Sequence, residues 1–341
     1  MTGAVALAPR ISVLLPARNA EATITRAISS LQSQTFGNFE LLAIDDGSTD
    51  ATASIIARLA ARDPRLRLLS TGGAGLVASL NAGLAVARAP LIARMDADDE
   101  SLPTRFERSV EALSADATLS GVGTAVEIVR EDQPVSPNLQ RYGAWLGSLR
   151  SPQRLFADRF IESPLCHPSV MLRADSLRAV GGWHDGAFPE DWQLWLRLLE
   201  TGHRLVCLPE VLFRWFDHDA RLTRTDARYE AHRHLSLKAD FLARRFSGQS
   251  LAIWGAGVTG VKLTRALVER GLTVSRLIDV NPRKMGQRIH GARVVFPEDL
   301  REAEVEEHLL SAVGSKGARA EIRAWLESRG WVEGAQFTCV A

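Results

Sequence analysis

The sequence is poor in cysteine, and its cysteines form no recognisable motif. Three cysteines occur in 341 residues, at Cys166, Cys207 and Cys339. They are odd in number and widely separated, which excludes a dense disulfide framework and fits no zinc or redox spacing. We therefore interpret them as reduced thiols of a cytosolic protein.

Long apolar runs are also lacking. The run Ile11–Leu15 near the N-terminus is much shorter than the roughly 18 residues that a membrane span needs. The residues before it have no basic start of the kind that opens a secretory leader. We expect a cytoplasmic protein, with any membrane contact being peripheral and at the inner face.

The chain has no large excess of charge of either sign. Lys and Arg number 41 and Asp and Glu number 40, giving a net charge of +1. This balance argues against nucleic acid as a partner, because nucleic-acid-binding domains are usually strongly basic. The local basic stretch from Arg221 to Arg233 has two interpretations: a solvated helix face, or a surface for a membrane or an anionic acceptor.

Short strand-like runs alternate with helical patterns in the first hundred residues. This alternation predicts an α/β fold with a parallel sheet and helices on both faces. Ligands of such sheets bind beyond the carboxyl ends of the strands. Polar clusters follow three of the predicted strands, at Pro16–Asn19, Asp45–Asp50 and Asp96–Asp99. In the second cluster, Ser48 or Thr49 is the predicted N-cap of the next helix.

The composition changes at Arg244–Ser250, after which a strand and helix pattern starts again. We predict two domains, residues 1–245 and residues 250–341. The second is a small α/β domain.

The cluster Asp96–Asp99 holds three carboxylates. Alternate residues of an extended segment point the same way, so Asp96 and Asp98 can converge on one cation. Oxygen ligands suit Mg²⁺ or Mn²⁺ together with substrate phosphates. The alternative is a solvated acidic turn that caps the next helix.

A complete GxGxxG pattern opens the second domain. It consists of Gly255, Gly257 and Gly260 between a predicted strand and helix, and Asp279 ends the next strand. These residues form a candidate second nucleotide site, with the glycines at a pyrophosphate and Asp279 at a ribose. The alternative is a structural or acceptor-handling domain with a tight turn.

Several ordered segments carry a family resemblance. The segments Ile11–Asp50, Ile92–Arg108, Cys166–Arg173 and Pro189–Leu198 resemble family two glycosyltransferases of the GT-A fold, and the resemblance covers residues 10–235. It implies a GT-A nucleotide-diphospho-sugar transferase fold, and the remainder resembles a small Rossmann-like α/β domain. The implied enzyme is a metal-dependent, inverting hexosyltransferase of polysaccharide or glycolipid biosynthesis. Its expected donor is a UDP-sugar and its acceptor a saccharide or lipid-linked saccharide.

The resemblance also implies roles for individual residues. The implied donor-binding residues are Pro16, Arg18, Asn19, Glu21, Asp46, Arg94 and Asp96. The implied ligands of Mn²⁺ or Mg²⁺ are Asp96, Asp98 and His218. Asp191 is the implied catalytic base, with Glu190 as a positioning residue or alternative base; His167 and Trp183 lie on the acceptor side.

Structural interpretations stay open beside these roles. The carboxylates at 190 and 191 can complement a helix dipole, and His167 and His218 can be a structural and a surface histidine. Trp183 and Trp192 can stack on a sugar, although helical spacing favours a core position for Trp192.

Two other functions also stay open. One is an NAD-dependent oxidoreductase that uses the second domain, and the other is a non-catalytic nucleotide-sugar-binding protein.

Overall fold

The structure, a computed structural model, describes residues 8–300 and 307–341. The chain divides into two compact units. Unit 1 comprises Met1–Phe156, Pro164–Gly186 and Glu190–Thr225, and unit 2 comprises Ala157–Ser163, Ala187–Pro189 and Asp226–Ala341. Unit 2 thus includes residues 226–245, which the sequence assigns to the first domain. The predicted division into domains 1–245 and 250–341 stays a prediction.

Unit 1 is built on eight strands and the helices between them. The strands are β1 (Ile11–Ala17), β2 (Phe39–Asp45), β3 (Leu66–Ser70), β4 (Leu91–Arg94), β5 (Glu100–Ser101), β6 (Leu119–Val129), β7 (Met171–Arg173) and β8 (Arg204–Phe216). The helices are α1 (Ile24–Gln32), α2 (Thr52–Ala60), α3 (Leu76–Val86), α4 (Arg105–Ala115), α5 (Pro137–Leu146), α6 (Pro152–Asp158), α7 (Ala174–Ala179), α8 (Glu190–Glu200) and α9 (Leu222–Thr225).

The eight strands form one sheet in the order β3-β2-β1-β4-β7-β6-β8-β5. The first four pair in parallel, whereas β7 is antiparallel to both its neighbours. Val13 packs into the core on one face of this sheet and Leu14 into the core on the other. A strand covered on both faces needs a continuous apolar run, and this explains the pattern of β1. The predicted α/β fold is confirmed, with antiparallel pairing in its second half.

The predicted N-cap of α2 is wrong. The helix begins at Thr52, and the side chain of Asp50 accepts from the Thr52 amide at 2.9 Å. Ser48 Oγ accepts instead from the Asn19 amide at 3.0 Å, and Asn19 Oδ1 accepts from the Thr49 amide at 2.9 Å. These residues tie the loop after β2 to the loop after β1.

Unit 2 contains a second sheet. Its strands are β9 (Ser250–Trp254), β10 (Thr273–Ile278), β11 (Arg288–Ile289), β12 (Ala292–Val295), β13 (Glu307–Ser311) and β14 (Phe337–Cys339). Its helices are α10 (Ala231–Arg245), α11 (Val258–Val268) and α12 (Ala318–Glu327). The order is β11-β12-β10-β9-β13-β14, with every pairing parallel except that of β11 with β12. Within residues 8–300 and 307–341, no helix has both the length and the apolar character to cross a bilayer.

Gly260 allows α11 to approach the end of β9. A Cβ at Gly260 would lie 1.7 Å from the carbonyl oxygen of Gly255, whereas one at Gly257 would meet no other atom of the described chain within 4 Å. Gly260 is therefore required by packing, and Gly257 leaves open space above the turn.

We expect Gly260→Ala to destabilise the protein by at least about 2 kcal/mol, because the added methyl group overpacks backbone that must move. Urea unfolding of the full chain measures the effect. Gly257→Ala is the matched control and should cost at most about 1 kcal/mol, the loss of a favourable N-cap glycine. Equal losses in the two variants would contradict the packing argument.

His308 is buried in the second sheet. Its Nε2 lies 2.9 Å from Thr338 Oγ1, and its ring centroid lies 4.2 Å from that of Phe246. Burial, with the nearby charges of Arg245 and Arg159, lowers the pKa of His308 from 6.5 to about 4. The imidazole is therefore neutral in the folded protein over a pH range in which the unfolded chain protonates it.

This difference predicts a pH dependence of stability. Below about pH 6.5 the unfolded chain binds a proton that the folded protein does not bind. The free energy of unfolding therefore decreases as the pH is lowered, until the pKa of His308 in the folded protein, about 4, is reached. At about 1.4 kcal/mol per pKa unit, His308 contributes about 3 kcal/mol to this loss. Urea unfolding of wild type and His308→Gln at several pH values should show a flatter curve for the variant. Parallel curves would refute the assignment to His308.

Candidate active site

A turn after β4 gathers three carboxylates. Asp96, Asp98 and Asp99 each offer an oxygen, and these oxygens all lie within 4.8 Å of one another. Residues 96–99 form a turn and not the extended segment that the sequence predicted. The predicted convergence of Asp96 and Asp98 is present, but the turn also brings in Asp99.

Two arginines neutralise this acidic turn. Arg94 forms an ion pair with Asp96, and Arg221 lies 3.5 Å from Asp96, 3.9 Å from Asp98 and 3.3 Å from Asp99. Burial lowers the pKa of Arg221, but the three carboxylates outweigh burial and raise it above its ordinary value. Arg221 thus stays charged and faces the cluster, so for this residue the interpretation as a solvated helix face is wrong.

The end of β8 and the residues that follow it complete the cluster. His218 Nε2 lies 2.8 Å from Asp98 Oδ2, and the Phe216 amide donates to Asp99 Oδ1 at 2.8 Å. Burial raises the pKa of Asp98, but the His218 hydrogen bond and the Arg221 charge outweigh burial and lower it. Burial, together with its acidic neighbours, raises the pKa of Asp99 well above its usual value. The predicted set of Asp96, Asp98 and His218 is therefore brought together in space.

The cluster has the chemistry of a divalent-cation site. Its donors are carboxylate oxygens and an imidazole, which suit Mn²⁺ and Mg²⁺. Asp99 Oδ2 is buried and finds no hydrogen-bond partner among the described residues. A buried acceptor without a donor is unfavourable, and a cation in the cluster would reduce its cost.

Ion pairs with the buried carboxylate of Asp217 hold the segment that carries His218 and Arg221. Arg130 and Arg224 lie 3.0 Å and 2.7 Å from the carboxylate of Asp217. The sequence interpretation missed this support and also Arg221 itself. The available signal was an arginine three residues after a candidate metal-ligating histidine.

On the donor side, Asp46 is fixed by the loop before α3. Its carboxylate accepts from Thr71 Oγ1 at 2.8 Å and from the Gly75 amide at 3.0 Å, and it lies 3.9 Å from the Arg18 guanidinium. A Cβ at Gly47 would lie 2.8 Å from the Gly73 nitrogen. Asp46 and Arg18 are therefore neighbours, as predicted for two donor-binding residues, although their binding of a nucleotide stays a prediction.

The other residues assigned to the donor have structural partners. Asn19 adopts a positive φ of 49° and uses its side chain to bind the loop after β2. Glu21 Oε2 accepts from the Ala51 amide at 2.9 Å. Pro16 lies within β1 and not beyond its end, since the strand continues to Ala17. Arg94 is buried and forms an ion pair with Asp96, and its binding of a donor stays a prediction.

A hydrogen-bonded chain leads to the start of α8. Trp183 Nε1 donates to His167 Nε2 at 3.0 Å, and His167 Nδ1 lies 3.5 Å from Glu190 Oε1. Asn81 Oδ1 in turn accepts from the Trp183 amide at 3.0 Å. Trp183 is buried in the core, so its predicted stacking on a sugar is wrong for this arrangement. The structure nevertheless brings His167, Trp183 and Glu190 together.

The two acidic residues at the start of α8 differ in exposure. Glu190 is 2% exposed, whereas Asp191 is half-buried. Burial lowers the pKa of Arg94, but the negative charges of Asp96 and Glu190 outweigh burial and raise this pKa above its ordinary value. The start of α8 and the acidic turn are therefore electrostatic neighbours through Arg94. Trp192 is buried, in agreement with the predicted core position.

The candidate second nucleotide site lies in unit 2. Gly255 follows β9, and Gly257 is the N-cap of α11. Asp279 Oδ2 accepts from the Ala256 amide at 3.0 Å and from Lys284 Nζ at 2.7 Å. Burial raises the pKa of Asp279, but these hydrogen bonds outweigh burial and lower it.

Known proteins resemble this chain in sequence. The family model described as Glycosyl transferase family 2 matches residues 12–181. EpsE of Bacillus subtilis (strain 168) is 33% identical over 211 residues, which are 60% of this chain and 72% of EpsE. The O-antigen biosynthesis glycosyltransferase WbnJ of Escherichia coli is 26% identical, over 69% of this chain and 90% of WbnJ.

Solved structures share the fold. The S. aureus protein TarS 1-349, solved with UDP-GlcNAc, has a TM-score of 0.51 at 17% identity over 76% of this chain and 80% of that one. The mannosyltransferase PcManGT from Pyrobaculum calidifontis, solved with GDP-Man and Mn²⁺, has a TM-score of 0.51 at 19% identity over 78% of this chain and 70% of that one. These likenesses establish a GT-A-like fold. From the family match and the relatives together, the chain belongs to the family 2 glycosyltransferases.

Proposed function

We propose that this glycosyltransferase moves a hexose from a UDP-sugar to a saccharide or lipid-linked saccharide during polysaccharide assembly. The observation that carries the proposal is the acidic turn, with Asp96, Asp98 and Asp99 gathered where the parallel strands end. The relative WbnJ is named for O-antigen biosynthesis, which supports the polysaccharide setting. TarS was solved with UDP-GlcNAc, which supports a UDP-sugar donor. A lipid-linked acceptor would bring the enzyme into peripheral contact with a membrane.

A divalent cation belongs to this proposal. Asp96, Asp98 and His218 would hold it, with Asp99 behind them, and PcManGT was solved with Mn²⁺. When bound, the cation would stabilise negative charge on the departing diphosphate. Arg221 contacts all three carboxylates, so it would adjust its contacts when a cation enters.

The start of α8 supplies the base in this mechanism. Asp191 accepts the proton of the acceptor hydroxyl, whose oxygen bonds to the anomeric carbon as the bond from that carbon to the diphosphate oxygen breaks. Attack opposite the leaving group inverts the anomeric centre. Glu190 is buried against His167, so it positions the start of the helix and does not reach an acceptor.

The test is turnover with a panel of nucleotide sugars. Purified full chain is incubated with UDP-glucose, UDP-galactose, UDP-GlcNAc or GDP-mannose and cell-derived glycolipids, with Mn²⁺ or with EDTA, while nucleoside diphosphate release is measured. We expect acceptor-dependent release from a UDP-sugar that stops in EDTA. Release that persists in EDTA would refute the proposed need for a divalent cation. Donor binding without turnover would favour the non-catalytic nucleotide-sugar-binding protein.

A further inference from the structure

Unit 2 contains a cavity of about 690 Å³. Its walls are the segments at and beyond the ends of β9, β10, β12 and β13, together with α12. Cavities of 300–1,000 Å³ are the usual size of small-molecule sites. None of the chemistry proposed for unit 1 uses this cavity.

The cavity lies at a special position of the second sheet. Strand β9 has β10 on one side, which follows it in the chain, and β13 on the other, which comes much later. The strand order therefore reverses at β9, and the cavity is lined by residues beyond the carboxyl ends of these strands. In doubly wound sheets this crevice is where nucleotides bind.

The turn after β9 offers a cradle for phosphate. Gly260 brings the amide end of α11 close to β9, and Gly257 leaves open space where a side chain would otherwise project. Backbone amides at the start of an 11-residue helix can then donate to a diphosphate. Lys284 also lines the cavity, where its ammonium group pairs with Asp279 at 2.7 Å.

Two valines on the cavity wall are unusually exposed. Val258 is 74% exposed and Val280 is 72% exposed. Val258 is the first residue of α11, within the glycine turn, and Val280 follows the end of β10. Exposed apolar side chains that line a cavity favour an occupant with a flat apolar face, such as a nucleobase.

The remaining polar groups of the cavity suit hydroxyls. Asp279, Glu298 and Glu321 line it, and a carboxylate accepts hydrogen bonds from several donors. Asp279 lies at the end of β10, which is the position that contacts a ribose in dinucleotide-binding folds. Carboxylates repel a phosphate, so the diphosphate belongs at the glycine turn and sugar hydroxyls at the acidic residues.

From these observations we infer that unit 2 binds a nucleoside diphosphate conjugate, such as a dinucleotide or a nucleotide sugar. The base packs on Val258 and Val280, the diphosphate lies over Gly257, and Asp279 accepts from the ribose. This site holds phosphate with backbone amides, so it needs no divalent cation. The inference does not rest on the function proposed for unit 1.

The experiment is isothermal titration of the full chain in EDTA with ADP, UDP, NAD⁺ and UDP-glucose. We expect at least one probe to bind with a dissociation constant below about 1 mM. Val280→Glu places a carboxylate at the base-binding wall and should weaken this binding at least about tenfold. Val332→Glu makes the same change at another exposed valine of unit 2, which is 57% exposed, and should bind as wild type does.

The outcomes separate the ligand sources and the two units. Preference for NAD⁺ identifies a dinucleotide site and revives the oxidoreductase alternative, whereas preference for UDP-glucose identifies a nucleotide-sugar site. No binding of any probe in EDTA overturns the inference. Binding that Val280→Glu leaves unchanged also overturns it, because the nucleotide then sits elsewhere, for example in unit 1. Neither result bears on metal-dependent transfer.

Discussion

Replacing Asp191 by Asn should lower the rate of sugar transfer by about 100- to 10,000-fold, the usual contribution of a general base. Asn has nearly the same shape but cannot accept the acceptor's proton. Asp191 is half-buried at the start of α8, whereas Glu190 is covered and faces His167. The measurement is nucleoside diphosphate release from the donor that wild type turns over, beside titration with UDP in Mn²⁺. Binding of UDP should be unchanged, because the diphosphate contacts that we propose lie at the acidic turn.

Two neighbouring variants make this prediction specific. Glu200→Gln removes a carboxylate from the same helix, roughly 14 Å further along its axis, and should leave transfer intact. Glu190→Gln should have a partial effect, because it weakens the support of the helix start and leaves the base in place. Full activity of Asp191→Asn, with inactivity of Glu190→Gln, would exchange the roles of the two residues.

The sequence was sufficient to predict the parallel half of the first sheet. Strands β1 and β2 are buried at every position, so their apolar runs identify them without reference to neighbours. The polar residues after β1, β2 and β4 were correctly placed at one end of the sheet, because parallel strands align their carboxyl ends. The antiparallel pairings of β7 and the pairing of β5 with β8 depend on distant contacts and were not predictable from local patterns.

The acidic turn shows where local reasoning fails. The pairing of Asp96 with Arg221 joins residues 125 positions apart, and no spacing rule relates them. An extended segment would bring only Asp96 and Asp98 to one side, whereas the turn brings Asp99 to them as well.

Likewise, the family resemblance implies that Asn19 and Glu21 bind the donor. Their side chains bind the neighbouring loop. Which polar group binds a ligand and which braces a loop is decided by tertiary contacts.

The second large effect that we expect comes from a substitution in the acidic turn. Asp98→Asn should weaken Mn²⁺-dependent binding of UDP by at least about 100-fold. Loss of a residue that only supports a metal ligand costs about 10- to 100-fold in affinity, and loss of a ligand should cost at least as much. The substitution keeps the shape but removes the charge that faces both His218 and Arg221. Titration of UDP at fixed Mn²⁺, repeated in EDTA, measures the metal-dependent part. Wild type should show a large difference between the two conditions and the variant almost none.

The control for Asp98→Asn is Asp219→Asn, which removes an exposed carboxylate next to His218 that pairs with Arg130. It should retain metal-dependent binding, because Asp219 is not part of the acidic cluster. A loss as large as that of Asp98→Asn would show that general negative charge attracts the cation. Undiminished Mn²⁺ dependence in Asp98→Asn would mean that the cation binds elsewhere. Equal binding of UDP by wild type in Mn²⁺ and in EDTA would mean that the turn is a closed ion-pair network, in which Arg94 and Arg221 take the place of a metal.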